Sequence, residues 1–250
     1  KKKINSINKQ IEILKPKYVM PFASFVYFSN VENFYMNDAY NTPAKVINDV
    51  NNNDSKILFF IPLEKWEIGS NHNNKESITF WTDKFNNLNE ETLNNYKTVD
   101  QSTLEGNFYK YVNRIKSKNN FQLMRLASIF PLINAFKPFV IYLHDLDKYI
   151  EFSIFKPIKF YNKKISYHIK MHSNSLDFIF KNEFGFDTLL VNACFESNFD
   201  NFVLVSKTFS IGSLNAMGVF INFKAVLDYK IFLKFIYKLF NARKKFELAS

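Results

Sequence analysis

The chain has 250 residues, of which 47% are hydrophobic and 18% aromatic, with thirty phenylalanines and thirteen tyrosines. This composition excludes a disordered protein, and the length allows one large or two medium domains. Despite a net charge of +10, a nucleic-acid partner is not expected, because the lysines are scattered and the joint excess of Lys, Asn, Ile, Phe and Tyr is typical of AT-rich genomes. The one cysteine, Cys194, fits a reducing compartment, so a cytoplasmic location is expected.

The first predicted elements are a helix, a short strand and a polar loop. Apolar residues recur at helical spacing over residues 4–14 and predict the helix. The strand runs from Tyr18 to Met20 and ends at Pro21, which cannot donate to a sheet ladder. Polar residues after the carboxyl end of a strand commonly form sites. The candidates in this loop are Ser24, Tyr27, Asn33, Asn37 and Asp38.

A second helix and strand follow this loop. Thr42 is the expected cap of a helix that extends to Val50, with proline in its first turn. The apolar run Lys56–Ile61 reads as a buried strand, and the turn after it carries Trp66. Polar residues with sparse apolar positions then predict peripheral helices and loops up to a domain boundary near Gly106.

The second region reads as helices, then strands, a helix, strands and a final helix. The helices are expected at Phe108–Lys116, Phe121–Phe136, Ser173–Asn182 with Ser175 as the cap, and Lys224–Lys245. The strands are expected at Phe139–Leu143, Tyr149–Phe155, Ile165–Met171, Thr188–Phe195 and Phe202–Phe209. This order predicts an α+β domain with a mainly antiparallel sheet.

The predicted final helix has two interpretations. Its wide apolar arc could cover the sheet and, together with Leu189, Val191 and Phe195, form the core. Its lysine stripe and basic end could instead dock on an anionic membrane surface. No apolar run reaches the roughly 20 residues that a membrane-spanning helix needs.

The histidines and cysteine do not form a recognisable catalytic or metal motif. His168 and His172 are four residues apart, but no Glu follows His168, so two solvated imidazoles at a strand edge are expected. The run from His144 to Asp147 is expected to be a polar turn that closes a strand. Cys194 is expected to be an inert core thiol. The residues thus predict no metal site in this chain.

The first third of the chain resembles a known family. Residues 21–25, Pro-Phe-Ala-Ser-Phe, with Glu32-Asn33 and Met36-Asn37, resemble the last core strand and following loop of metallo-β-lactamase-fold proteins. The branch concerned contains ascorbate-6-phosphate lactonase and CMP-N-acetylneuraminate hydroxylase. The turn around Trp66, with glycine at Gly69, also has a counterpart there.

The resemblance implies a mixed α+β and α/β fold. Residues 1–107 would be the C-terminal piece of an αββα sandwich, and residues 108–250 the α+β domain. The family's His-x-His-x-Asp-His motif does not occur in the chain, so a divalent zinc or iron is expected only in a missing N-terminal half. This chain would be the C-terminal part of a metal-dependent hydrolase and inactive alone. The candidates named above, with Trp66, would line the pocket for a small-molecule substrate. The missing half or another chain would pack on residues 1–107.

A second resemblance supports an alternative. The pattern of strand, short helix, glycine turn and strand over residues 173–192 is similar to sterol carrier protein type two domains, which enclose an apolar tunnel. It implies a non-catalytic binding module for a lipid or other apolar ligand, acting at a membrane surface. Nothing in the sequence identifies the substrate or ligand.

Overall fold

The computed structural model describes residues 2–22, 27–51, 54–88, 93–94, 96–130 and 135–223. The chain divides into two compact units, unit 1 at Lys1–Asn94 and unit 2 at Asn95–Ser250. Gly106, near which a boundary was expected, lies inside a continuous helix that begins after the capping residue Asp100. The protein is mixed α+β with a mostly antiparallel main sheet, which confirms the predicted fold class at that level.

Unit 1 alternates helices with two very short strands. Its elements are α1 (Lys2–Leu14), β1 (Tyr18–Val19), a 3₁₀ helix (Phe34–Ala39), α2 (Pro43–Asp49), β2 (Lys56–Ile57) and α3 (Asn74–Asn86). Thr42 caps α2 as predicted, because its side chain accepts a hydrogen bond from the Lys45 amide at 3.2 Å. The two strands predicted in this region are present, but each has only two residues.

The strands β1 and β2 pair in parallel, with Tyr18 opposite Lys56. Buried apolar residues of α1, α2 and the β2 segment pack into one small core: Ile4, Ile11, Val46, Val50, Ile57 and Phe59. The far edge of β2 is blocked by the Asn74 side chain, which donates to the Ile57 carbonyl at 2.6 Å and accepts from the Phe59 amide at 2.9 Å. A further strand could therefore join this sheet only beside β1.

Unit 2 contains five helices and five strands within the described residues. The helices are α4 (Gln101–Lys118), α5 (Phe121–Ile129), α6 (Ser173–Lys181), α7 (Gly185–Asn192) and α8 (Phe199–Ala216). The strands are β3 (Phe139–Leu143), β4 (Lys148–Phe152), β5 (Lys159–Tyr161), β6 (Ile169–Met171) and β7 (Phe195–Glu196).

The strands of unit 2 form one sheet in the order β5-β4-β3-β6-β7. Only the β3–β6 pair is parallel. Phe152 of β4 lies 5.7 Å from Phe108 of α4, 6.0 Å from Phe180 of α6 and 5.0 Å from Phe209 of α8, measured between ring centroids. These helices therefore cover the inner face of the sheet, and phenylalanine rings fill the space between.

Two predicted strands of unit 2 are wrong. Residues 188–195 fall mostly in α7, and residues 202–209 lie inside α8. Leu189 is buried as expected, but Val191 is 72% exposed and Phe195 is half-buried. Each segment contains a short apolar run, at residues 189–191 and 202–205, and such a run does not separate a strand from a buried helix.

The ends of other predicted elements also differ from the structure. The helix predicted at Phe121–Phe136 ends at Ile129, and the cap of α6 is His172 rather than Ser175. The strands predicted at 149–155 and 165–171 contract to β4 and β6. The final helix predicted at 224–245 lies outside the described residues. Among the helices that the structure describes, none combines the length and the apolarity that crossing a membrane requires.

The close packing of α6, α7 and α8 predicts which glycines cannot be replaced. A Cβ on Gly185 would lie 2.6 Å from the Ile179 Cα, and one on Gly212 would lie 2.7 Å from the Glu183 carbonyl oxygen. Because both obstacles are backbone atoms, we expect Gly185→Ala and Gly212→Ala each to lower the free energy of unfolding by about 1–3 kcal/mol. Urea denaturation measures this loss.

Gly106 is the matched control for this prediction. It lies in helix α4, and a Cβ there would meet no atom within 4 Å. We expect Gly106→Ala to raise stability by about 0.5–1 kcal/mol, because alanine restricts the unfolded chain and favours a helix. Equal effects at all three glycines would contradict the helix packing described here.

Candidate functional site

The six predicted pocket residues are spread along unit 1. Tyr27 is half-buried in the loop before the 3₁₀ helix, and Asp38 is exposed near the end of that helix. Asn33 and Asn37 are buried, and Trp66 is half-buried in the turn after β2. Ser24 lies outside the described residues.

The two asparagines hold the loop in shape. The Asn37 side chain accepts from the Phe28 amide at 2.8 Å and donates to the carbonyls of Phe28 and Phe34, both at 2.9 Å. The Asn33 carboxamide oxygen accepts from the Asn30 amide at 3.1 Å. With its oxygen and both donors of its amide group used by the backbone, Asn37 is a structural residue, and Tyr27 and Asp38 are the ones that can reach a ligand.

Trp66 belongs to an aromatic cluster that joins β1 to the segment after β2. Its ring lies 5.1 Å from Tyr18 and 6.0 Å from Phe60, and its indole N–H donates to the Ser70 carbonyl at 3.3 Å. Phe60 in turn lies 4.7 Å from His72. Among the described residues of unit 1, this cluster is the one place where a predicted pocket residue, Trp66, lies near a histidine.

His72 is held between a carbonyl and a carboxylate. Its Nε2 lies 2.8 Å from the Phe59 carbonyl oxygen, and its Nδ1 lies 3.4 Å from the Glu64 carboxylate. The imidazole is only 7% exposed. Since both ring nitrogens already face acceptors, this histidine stabilises the turn after β2 rather than offering a base to a ligand.

An apolar groove of about 500 Å³ lies beside β1. It runs between the α1 side chains Ile7 and Ile11 and the β1 residues Tyr18 and Val19, and it ends at Phe22. None of the five described pocket candidates lines it. The groove is suited to apolar side chains of another polypeptide segment, because it adjoins the open edge of the sheet.

A buried polar cluster in unit 2 went unrecognised in the sequence. Asp145, in the turn between β3 and β4, accepts from the Ser173 amide at 2.8 Å and from its hydroxyl at 2.6 Å. The same carboxylate lies 3.5 Å from the His172 Nε2, and the Ser173 hydroxyl oxygen accepts from the Val99 amide at 2.7 Å. The signal was present, since His144-Asp145 closes one strand and His172-Ser173 another.

The cluster has the residue types of a nucleophilic site but not its geometry. Ser173 is fully buried, and its hydroxyl donates to the carboxylate instead of to the imidazole. The His172 Nδ1 accepts from the Asn174 amide at 3.1 Å and so caps α6. A catalytic serine must be accessible and must donate to the base. We therefore assign the cluster to anchoring the start of α6.

The other expectations for the histidines also need correction. His168 is half-buried, and its Nδ1 accepts from the Val140 amide at 3.0 Å, so neither His168 nor His172 is a solvated strand-edge imidazole. Burial lowers the pKa of His168. Within the described residues, no group of three or more His, Cys, Asp or Glu side chains is placed to hold a metal ion.

Comparison with protein-family models, curated proteins and solved structures finds no match to this chain. Its function therefore has to be inferred from its own residues.

The different roles of two neighbouring residues give a direct test of the loop. We expect Asn37→Ala to lower the free energy of unfolding of unit 1 by about 1–3 kcal/mol, because it leaves buried backbone groups without partners. We expect Asp38→Ala, at an exposed position, to change it by less than about 0.5 kcal/mol. Thermal denaturation compares the variants, and an equal loss in both would contradict the assignment.

Proposed function

We propose that unit 1 is the carboxyl-terminal piece of a metallo-β-lactamase-like sandwich and closes the substrate pocket of a metal-dependent hydrolase. The described residues do not fit a zinc or iron site. The metal would therefore be held by another stretch of polypeptide, and no chemical step is assigned to residues of this chain. The resemblance at residues 21–25 and 32–37 supports the family, and the open sheet of unit 1 supports the partial domain.

The open sheet is the observation that carries the proposal. Parallel strands normally lie inside a larger sheet that is covered on both faces, and two paired strands alone are marginally stable. In unit 1 the β1–β2 pair has no third strand within the described residues. The Asn74 carboxamide blocks the β2 edge, so the missing strands would join at β1, beside the apolar groove.

Exposed apolar side chains around this sheet support the same conclusion. The relative exposures are 52% for Met20, 81% for Phe22, 98% for Leu63 and 82% for Ile68. Met20 and Phe22 follow β1 directly and line the groove. Exposed apolar side chains beside an apolar groove are typical of an interaction surface. The partner would be the missing half of the sandwich or another chain that supplies it.

The substrate would be a small molecule that contacts unit 1 at the loop and turn that follow the strands. Tyr27, Asp38 and Trp66 provide a phenol, a carboxylate and an indole for this contact, while Asn33 and Asn37 keep the loop rigid. These side chains would form one side of the pocket, where they would orient the substrate but would not activate water.

The alternative function, an apolar-ligand module in unit 2, gains no support from its core. The rings of Phe108, Phe139, Phe152, Phe180 and Phe209 are all within van der Waals packing distance of a neighbouring ring. A lipid would have to displace them, which costs about 3–5 kcal/mol for each large side chain removed from a core.

The first test concerns metal and activity in the purified chain. We expect no stoichiometric zinc or iron after dialysis and no hydrolysis of phosphate esters or lactones with either metal added, because a ligand set is lacking among the described residues. Elemental analysis by mass spectrometry measures the bound metal. One tightly bound zinc or iron per chain would contradict the division of roles proposed here.

The second test concerns the open edge of unit 1. We expect the isolated chain to self-associate through unit 1 and to lose that unit first under limited proteolysis, because strand edges and apolar grooves pair with other chains. Phe22→Lys should reduce the association, measured by analytical ultracentrifugation, and leave the melting temperature unchanged.

Val191→Lys is the matched control, because Val191 is similarly exposed but lies on α7 in unit 2. It should leave the association unchanged. A monomeric chain in which unit 1 resists proteolysis as well as unit 2 would mean that the β1–β2 sheet needs no partner.

A further inference from the structure

The outer face of the unit 2 sheet carries a row of tyrosines. The strand register places Tyr142 of β3 opposite Tyr149 of β4, and Tyr149 opposite Tyr161 of β5. The rings of Tyr142 and Tyr149 stack at 4.7 Å with an interplanar angle of 21°. Tyr167, from the segment before β6, lies 5.3 Å from Tyr142 and is 40% exposed. Together these four residues form the tyrosine face, in which Tyr149 is buried and the rings open to a ligand are those of Tyr142, Tyr161 and Tyr167.

Two phenols of this face donate to carboxylates. The Tyr142 hydroxyl donates to Asp147 at 3.0 Å, and the Tyr161 hydroxyl donates to Glu151 at 2.9 Å. Each of these hydrogen bonds raises the pKa of its phenol above the ordinary value. These two hydroxyl groups are thus occupied by carboxylates, and what Tyr142 and Tyr161 offer a ligand is the aromatic surface of their rings.

Lysines surround the β5 end of the tyrosine face. Residues 156–164 contain four lysines and no acidic residue, and all four are exposed. None of them forms an ion pair within the part of the chain that the structure describes. By register, Lys159 lies opposite Glu151 of β4 and on the same face as Tyr161. The four residues, named here the lysine edge, are Lys156, Lys159, Lys163 and Lys164.

We propose that the tyrosine face and the lysine edge bind single-stranded nucleic acid. Bases would stack on the tyrosine rings, and the phosphates would lie along the lysines. This combination of an aromatic platform with a positively charged border is how non-specific single-strand binders work, because every base has a π-face and every nucleotide a phosphate. The charge of the ligand is complementary to the lysine edge.

Two other roles explain only part of this surface. Lysines on an edge strand prevent pairing with other chains, but this role does not require a row of tyrosines beside them. An anionic membrane would also attract lysines, but it favours a protruding apolar wedge. The strongly exposed Leu126, Ile129 and Phe130 of unit 2 lie instead on and just after α5.

Fluorescence anisotropy with a labelled oligodeoxythymidine of about twelve nucleotides tests the proposal. We expect binding by the full chain that weakens as salt rises. The double variant Lys163→Glu/Lys164→Glu should bind at least about tenfold more weakly, and its slope of log K against log salt should be smaller by about 1.4. Tyr167→Ala should bind about fivefold or more weakly, whereas Tyr167→Phe should bind like the unaltered chain, because stacking needs the ring and not the hydroxyl.

Exposed residues of α4 provide the controls. Tyr109 and Lys110 lie on a helix that covers the opposite face of the sheet. Tyr109→Ala and Lys110→Glu should therefore leave the affinity unchanged. Melting temperatures confirm that each variant is folded, and the single variant Lys164→Gln replaces the double one if that fails to fold.

Three outcomes would overturn the proposal. The first is no binding by the unaltered chain at low salt. The second is an equal loss of affinity in the α4 controls, which would mean that the net charge of the chain, and not this surface, accounts for the binding. The third is binding to vesicles of anionic phospholipid together with no affinity for the oligonucleotide, which would assign the lysine edge to a membrane surface. None of these outcomes affects the proposal for unit 1.

Discussion

The parallel pairing of β3 with β6 is the interaction on which the rest of unit 2 depends. The strands β3, β4 and β5 follow one another as an antiparallel meander, and β6 returns to the free side of β3. The pairing aligns Leu143 with Met171 and so brings the turn after β3 to the start of α6. Asp145 binds Ser173 across this junction. From there α6 runs across the inner face and places Phe180 on Phe152, which leaves the tyrosines on the outer face.

The sequence predicted those elements that have strong local signals. The β-branched and aromatic run Phe139–Leu143, closed by a polar turn, predicts β3, and Thr42-Pro43 predicts the start of α2; both are present. The prediction failed at residues 188–195 and 202–209, where short apolar runs fit a strand as well as a helix. The helices there are marked by their ends, because the left-handed Ala193 ends α7 and the Asn198 side chain caps α8.

The candidate sites show the same limit in another form. The polar residues after β1 are predicted to line a pocket, but the Asn37 side chain forms its hydrogen bonds with the backbone of its own loop. The lysines look scattered along the chain, yet four of them lie within residues 156–164, and strand alternation puts Lys159 on the same face as Tyr161. Residue types indicate what a side chain can bind, whereas pairing and register decide what it does bind.

The two units treat their sheet edges in opposite ways. In unit 2 the edge strand β5 is flanked by lysines, and the other edge strand, β7, has only two residues. Both features discourage pairing with a further strand. In unit 1 the β2 edge is closed by Asn74, whereas β1 stays open beside an apolar groove. Within the described residues, three of the four sheet edges are thus protected, and Met20 and Phe22 are exposed after the fourth. This asymmetry is the physical basis of the proposal that unit 1, unlike unit 2, receives a further strand from a partner.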